Sequence, residues 1–128
     1  MKIEHIALWV KDLEKMKAFY LNFFDLSANA KYYNAKKKFS SYFLSFENGA
    51  RIELMHKAEI ADLLNQDEEQ LGFTHFAIAV GSIQNVDDLT LRIQKNGYTV
   101  LGKPRTTGDG YYESVIADPE GNRIELTV

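Results

Sequence analysis

The stretch GNRIEL at residues 121–126 decides how the chain is interpreted, because a near copy of it occurs earlier. GARIEL at residues 49–54 agrees with it at five of six positions, 72 residues upstream. A second pair, HIALWV at residues 5–10 and HFAIAV at residues 75–80, is separated by 70 residues. Because the two offsets are nearly equal, both matches indicate one internal duplication with a small change in length.

The duplication predicts the organisation of the chain. Its 128 residues, 45% of them hydrophobic, suit one compact domain with a packed core. We predict a single domain over 1–128, built from a repeat at 1–57, a connector at 58–71 and a repeat at 72–128. The connector is rich in acidic residues, and its Ile60, Leu63 and Leu64 are compatible with a short helix.

The first repeat predicts a strand, a helix and three strands. Residues 3–10 alternate and contain branched and aromatic side chains, which is typical of a strand. Asp12 offers a side-chain oxygen to cap a helix, and apolar residues then recur at helical spacing. The three later strands are predicted at 32–33, 39–46 and 51–56, with the Asn48-Gly49 turn before the last.

The second repeat predicts the same order, so the fold class is α+β. Its first strand is predicted at 74–80, and its helix, marked by Val86, Leu89 and Ile93, ends at Gly97 in a left-handed conformation. The later strands are predicted at 98–101, 111–117 and 123–128. The residues from Lys103 to Tyr112, which include Gly108 and Gly110, are expected to form a flexible hairpin loop. Two interpretations are open: an ordinary solvated loop, or one in which Lys103 and Arg105 contact an anionic group of a substrate.

Alternation also predicts that one histidine and one glutamate share a sheet face in each repeat. His5 lies on the face of Trp9, and Glu53 on the face of Arg51 and Met55, while the aliphatic residues between them face the helix. His75 and Glu125 repeat this placement. A buried carboxylate without a partner is costly, so Arg51 and Arg123, two residues before each glutamate, remain possible structural partners.

Matching positions in both repeats favour a shared role for these four residues. Two imidazoles and two carboxylates form a nitrogen and oxygen ligand set suited to a divalent ion such as Ni, Zn, Mn, Co or Fe. His56 has no counterpart in the second repeat and lies on the opposite face from Glu53, so we interpret it as structural or exposed.

Composition excludes several classes of function. A net charge of −3, with 15 basic and 18 acidic residues, gives no support for a nucleic-acid partner. The absence of cysteine excludes disulfides and thiolate chemistry. We expect no signal peptide and no membrane span, and hence a cytoplasmic location.

The duplicated histidine and glutamate, and DPEGNRIEL at residues 118–126, resemble the glyoxalase / bleomycin-resistance / extradiol-dioxygenase (vicinal oxygen chelate) superfamily over the whole chain. The resemblance implies tandem βαβββ modules whose mixed sheets curl around a cup-shaped metal site. It is greatest to proteins of the glyoxalase I type, related to lactoylglutathione lyase, and it implies that His5, Glu53, His75 and Glu125 are the metal ligands.

The sequence also departs from glyoxalase I. The resemblance implies that bacterial forms bind the glutathione carboxylate through an arginine four residues after the first histidine, where this chain has Trp9. They also have an asparagine four residues after the first glutamate, where this chain has Lys57. Another small molecule with two adjacent oxygens is therefore an alternative substrate.

The expected function is a metal-dependent, glyoxalase I-like lyase or isomerase acting through an enediolate-type intermediate, with Glu53 or Glu125 as the catalytic base. Alternatives are antibiotic modification, dioxygenation, or non-catalytic binding of a drug in a cup lined by aromatics such as Trp9, Tyr42 and Phe46. Substrate contacts are expected from Trp9, Arg105 and Tyr111.

A homodimer is the expected assembly. Each repeat supplies one histidine and one glutamate, so two repeats are needed for four ligands, and they come from one chain or from two. We expect a two-fold dimer, with His5 and Glu53 of one chain facing His75 and Glu125 of the other.

Overall fold

The computed structural model of the protein describes residues 1–61 and 71–128. The chain divides into two compact units, Met1–Leu63 and Leu64–Val128, and the division falls within the predicted connector. Each unit has one helix and one mixed sheet, which confirms the α+β class. Most of the predicted connector helix lies outside the described residues, and the joining of both repeats into one domain stays a prediction.

The described residues of the first unit form one helix and five strands, one strand more than predicted. They are β1 (His5–Trp9), α1 (Leu13–Phe23), β2 (Ser27–Ala28), β3 (Tyr32–Asn34), β4 (Phe39–Ser45) and β5 (Arg51–Lys57). The sheet order is β1-β5-β4-β2, and β3 also pairs with β4. The additional strand, β2, has two residues only, too few for alternation to reveal.

The helix of the first unit covers the aliphatic side of its sheet. Asp12 caps α1 as predicted, its carboxylate accepting a hydrogen bond from the amide of Lys15 at 2.9 Å. Met16 and Tyr20 are fully buried, as are Leu44 and Leu54 on the strands. Burial of these apolar groups leaves the other sheet face to the polar residues of β1 and β5.

From residue 71 onward, where the structure describes the second unit, there are one helix and four strands. They are β6 (Phe76–Ala79), α2 (Ile83–Lys95), β7 (Val100–Thr106), β8 (Tyr112–Ala117) and β9 (Arg123–Thr127). The sheet order is β6-β9-β8-β7. Gly97 follows α2 at a φ of +85°, which confirms the predicted left-handed end of this helix. No helix among the described residues has the length and apolar character needed to cross a membrane.

The expectation of a hairpin loop from Lys103 to Tyr112 is wrong for its first part, because β7 continues to Thr106. Gly102 and Pro104 interrupt the apolar pattern and suggested an end to the strand. In the sheet, β7 is an edge strand, and its pairing with β8 has register shifts on both sides of Gly102. An edge position and bulges are the places where strands accept glycine and proline.

In each unit the first and last strands are parallel neighbours. In the first, His5 lies opposite Arg51 and Ala7 opposite Glu53. In the second, Ala77 lies opposite Glu125. This pairing brings the start of each repeat beside its end, and it places the histidine of one strand diagonally across from the glutamate of the other.

The turn before β9 is organised by Asp118, which is almost fully buried. Its carboxylate accepts hydrogen bonds from the amides of Glu120 and Asn122 and from the side chain of Asn122, at 2.8–3.0 Å. Gly121 completes the turn at a φ of +88°, which an amino acid with a side chain rarely adopts. The turn therefore fixes where β9 begins and which face Glu125 occupies.

Candidate functional site

The first unit brings His5 and Glu53 together. The Nε2 atom of His5 lies 3.8 Å from the Oε2 atom of Glu53. The glutamate side chain is only 16% exposed, whereas the histidine side chain is 38% exposed. The pair is therefore open to solvent on the imidazole side and shielded on the carboxylate side.

The second unit repeats this arrangement. The Nε2 atom of His75 lies 3.4 Å from the Oε2 atom of Glu125, and their side chains are 43% and 18% exposed. His75 lies one residue before β6, so the predicted strand from residue 74 begins two residues too early. Both units thus direct the same imidazole nitrogen toward the same carboxylate oxygen.

The spacing in each pair can be compared with that of two ligands on one metal ion. Ligand distances of about 2.0–2.2 Å place two adjacent ligand atoms roughly 2.8–3.6 Å apart. The pair of His75 and Glu125 falls within that range, and the pair of His5 and Glu53 lies just above it. The donor types and their spacing therefore fit a divalent ion, although a protonated imidazole would form an ordinary ion pair at the same distance.

Neither unit adds a third ligand within its described residues, where no group of three or more His, Asp or Glu side chains is arranged to hold a metal. Each unit accordingly offers half of the predicted ligand set. The convergence of His5, Glu53, His75 and Glu125 on one ion stays a prediction.

Arg51 pairs with Glu4, which sequence analysis did not single out. The guanidinium of Arg51 contacts Oε1 of Glu4, and Oε2 of the same carboxylate lies 2.5 Å from Nδ1 of His5. The structural alternative required Arg51 to neutralise Glu53, but the partner of Arg51 is Glu4. That alternative is therefore wrong for Glu53.

Glu125 has an altered protonation equilibrium. Burial raises its pKa above the ordinary glutamate value, the negative charge of Glu113 raises it further, and His75 acts in the opposite direction. Glu113 lies on β8, next to β9, and also pairs with Arg105 at 3.3 Å. Sequence analysis missed Glu113, although its position on the sheet face of Glu125 is a signal that strand alternation provides.

The predicted substrate contacts of the second unit are both at the surface. Arg105 lies on β7 with a side chain 63% exposed, and the carboxylate of Glu113 already partners it. Tyr111 is 61% exposed and lies just before β8. These exposures do not decide whether Arg105 and Tyr111 contact a substrate, so both contacts stay predictions.

An exposed aromatic group lies on the face of Glu53, at the far end of β1 from His5. Trp9 is 46% exposed and its ring contacts that of Phe39 edge to face at 6.1 Å. The ammonium of Lys57 lies over the indole, 5.1 Å from its centroid. Lys57 thus places a positive charge beside Trp9.

The proposed lining by Tyr42 is wrong. Tyr42 is buried, lies opposite Leu54 and therefore points to the helix side, where its hydroxyl donates to Glu14 at 3.0 Å. The aromatic residue opposite Glu53 on β4 is Phe43. The sequence has aromatic residues at 39, 42 and 43, and alternation along β4 places Tyr42 on the opposite sheet face from Phe39 and Phe43. The error therefore lies in which of the two faces was assigned to Tyr42.

His56 has a structural role, as predicted. Its Nδ1 atom donates to the carbonyl oxygen of Val10 at 2.9 Å, which ties β5 to the end of β1. It thereby leaves the histidine and glutamate of each repeat as the candidate ligands.

Comparisons with known proteins identify the family of proteins to which this chain is similar. The Glyoxalase/Bleomycin resistance protein/Dioxygenase superfamily profile matches residues 2–126. A probable lactoylglutathione lyase from Vibrio cholerae is 31% identical over 98% of this chain and 88% of its own length.

Solved structures of low sequence identity show the same fold. Glyoxalase I from Zea mays matches 98% of this chain with a TM-score of 0.81 at 24% identity. The match spans only 44% of the maize enzyme, less than half its length. A glyoxylase/bleomycin resistance protein/dioxygenase domain from Frankia sp. EAN1pec matches all of this chain and 97% of that one, with a TM-score of 0.83 at 19% identity.

Proposed function

Because this chain belongs to the Glyoxalase/Bleomycin resistance protein/Dioxygenase superfamily, we propose that it is a metal-dependent lyase or isomerase of the glyoxalase I type. Its substrate would be a small molecule with two adjacent oxygens. The observation that carries the proposal is the histidine–glutamate pair that recurs in both units with the same two atoms facing each other. The name of the Vibrio cholerae relative supports the reaction class.

In this proposal His5 and Glu53 supply one half of the ligand set, and His75 and Glu125 supply the other. A divalent ion bound there would polarise the two substrate oxygens as a Lewis acid. Glu125 would take the proton that moves between adjacent carbons. Burial and the negative charge of Glu113 raise the pKa of the Glu125 carboxyl, which makes it a stronger base than an ordinary glutamate.

Trp9 and Lys57 support a substrate other than the glutathione adduct. The indole offers a flat apolar surface where a bidentate arginine would otherwise hold a carboxylate, and Lys57 provides only a point charge. We propose that Trp9 contacts the substrate, and that Arg105 and Tyr111 contact it from the second unit.

The same exposed aromatic group supports one alternative, which is binding of a flat ligand without turnover. Trp9, Phe39 and the partly exposed Tyr32 form a series of ring contacts at 6.1 Å on one sheet. In that case a ligand would bind equally well to metal-free protein.

Metal titration and a turnover assay test the proposal. Metal-free protein would be melted with and without Ni, Zn, Mn or Co ions, and then assayed with methylglyoxal and a panel of thiols. We expect stabilisation by at least one ion, and its loss in Glu53→Gln and Glu125→Gln. Glu47→Gln changes an exposed glutamate in the turn between β4 and β5 and is the matched control. Stabilisation by no ion, or full activity in Glu125→Gln, would contradict the proposal.

We also propose a homodimer in which the two ligand pairs of each centre come from different chains. Mixing inactive His5→Ala protein with inactive Glu125→Gln protein tests this. Each heterodimer would then contain one centre with all four ligands and one without, and it would regain up to half of the activity of a wild-type dimer. Centres formed within one chain would give no recovery, and a monomer by light scattering would exclude the dimer.

A further inference from the structure

We propose that Glu4 is a positioning residue for His5: it holds the imidazole with its proton on Nδ1 and so keeps Nε2 free to bind a metal. The inference rests on the proposed function in assuming that Nε2 of His5 is a ligand. It concerns a residue outside the predicted ligand set, and it makes the two half-sites unequal.

The contact that carries the inference is the distance of 2.5 Å between Nδ1 of His5 and Oε2 of Glu4. A carboxylate only accepts hydrogen bonds, so the imidazole nitrogen must be the donor. A neutral imidazole carries one proton, and a proton on Nδ1 leaves the lone pair of Nε2 available. That nitrogen is the one that faces Glu53.

Glu4 is itself held in place. Its other oxygen pairs with the guanidinium of Arg51, and its backbone carbonyl accepts the Arg51 amide proton at 3.0 Å. The acceptor for the Nδ1 proton is therefore a fixed, charged carboxylate.

The ring of Phe43 restricts the side-chain rotation of both His5 and Arg51, the two residues that contact Glu4. The imidazole of His5 contacts its ring edge to face at 5.4 Å, and the guanidinium carbon of Arg51 lies 4.1 Å over the same ring. Such packing limits rotation of His5 about its side-chain bonds. Glu4 itself is mostly exposed, so its ion pairs contribute little to stability and their effect is on orientation.

The second unit lacks this arrangement at the matching position. Thr74 precedes His75 where Glu4 precedes His5, and a threonine carries no carboxylate. Metal-binding histidines are commonly oriented by a carboxylate on the second ring nitrogen, and its removal typically weakens metal affinity by roughly 10–100-fold. We therefore expect His5 to be the more rigidly held of the two histidines.

The test begins with the metal-free protein and reads the proton position directly. Long-range 15N–1H NMR at about pH 8.5, where an ordinary imidazole is neutral, distinguishes the two tautomers. We expect the Nδ1-protonated form for His5 in the wild type, and a mixture in Glu4→Ala. Glu4→Gln should largely retain this tautomer, because the amide oxygen still accepts a hydrogen bond from Nδ1 of His5. His75 serves as the internal reference and should not change.

Metal affinity provides the second measurement. Zn²⁺ titrated into Glu4→Ala should bind roughly 10–100-fold more weakly than to the wild type, with intermediate binding to Glu4→Gln. Glu47→Ala removes the same charge elsewhere on the unit and should bind within twofold of the wild type. An Nε2-protonated His5 in the wild type, or equal tautomers in wild type and Glu4→Ala, would overturn the inference. Wild-type protein that binds no metal would instead overturn the proposed function, and the NMR result would still decide the role of Glu4.

Discussion

The hydrogen bond between Thr90 and Ser114 attaches α2 to β8, and its removal allows a quantitative prediction. The two hydroxyl oxygens lie 2.6 Å apart, and both residues are almost fully buried. Thr90 also donates to the Val86 carbonyl at 2.6 Å, so its single proton is used and Ser114 must donate to Thr90. The two single substitutions therefore leave different groups without a partner.

Thr90→Val leaves the Ser114 hydroxyl as a buried donor without its acceptor, which costs about 1–3 kcal/mol. In Ser114→Ala, Thr90 still donates its hydrogen bond to the Val86 carbonyl, and only the hydrogen bond that its oxygen accepts from Ser114 is lost. The expected cost is about 0.5–1.5 kcal/mol. In the double variant no unsatisfied hydroxyl remains. We expect it to be more stable than the sum of the single effects predicts, with a coupling energy of about 1–2 kcal/mol.

Urea unfolding followed by circular dichroism measures these free energies, provided that the slope with denaturant is unchanged. Thr90→Ser, which retains the hydroxyl, is the matched control and should resemble Ser114→Ala in cost or be milder. Additive effects of the two substitutions, within about 0.3 kcal/mol, would refute the reasoning. The result bears on the site, because Glu113 precedes Ser114 on β8 and faces Glu125.

Three further predictions concern charge and recognition. Hydrogen bonds, of which that from Lys17 has the largest effect, hold the pKa of Glu14 at about 2. Glu14→Gln should therefore destabilise the protein above pH 4.5, and this destabilisation should disappear as the pH falls toward 2. Because the side chain is 55% exposed, the effect is limited to about 1 kcal/mol. Glu113→Gln should lower the pKa of Glu125, which carboxyl NMR can measure. A carboxyl pKa that is raised in the folded state lowers the free energy of unfolding above pH 4.5. The variant should therefore be more stable than the wild type as the pH rises above 4.5. Trp9→Arg should lower KM for the glutathione adduct by roughly 10–100-fold through a charge-assisted contact, and an unchanged KM would show that the thiol binds elsewhere.

The strands that carry the histidine–glutamate pairs could be predicted from the sequence because apolar and other residues alternate along most of their length. Ile52 and Leu54 are buried and Glu53 between them is less so, as a period of two requires. Asp12 and Gly97 were recognisable because a helix end needs a specific acceptor or a positive φ. These signals are local, and local signals survive in a single sequence.

Other features could not be predicted because they depend on neighbours distant in sequence. Glu4 precedes a strand and has no pattern of its own, and only its contacts with His5 and Arg51 give it a role. The extension of β7 through Pro104 became possible because β8 pairs with one edge of β7, while no strand in the described part of the chain pairs with the other edge. The phase of Tyr42 was ambiguous because Phe43 beside it is equally apolar.

The parallel pairing of first and last strands has a consequence for how the protein acquires its chemistry. In each unit the imidazole and the carboxylate are roughly fifty residues apart along the chain. Contacts of such long range form late in folding, because the entropy of closing the loop must be met first. A nascent chain consequently cannot assemble a ligand pair from a fragment of a repeat. The first pair can form only after residue 53 has left the ribosome, and the second only after residue 125 has done so. Binding of an ion by all four proposed ligands would therefore require that both repeats have folded.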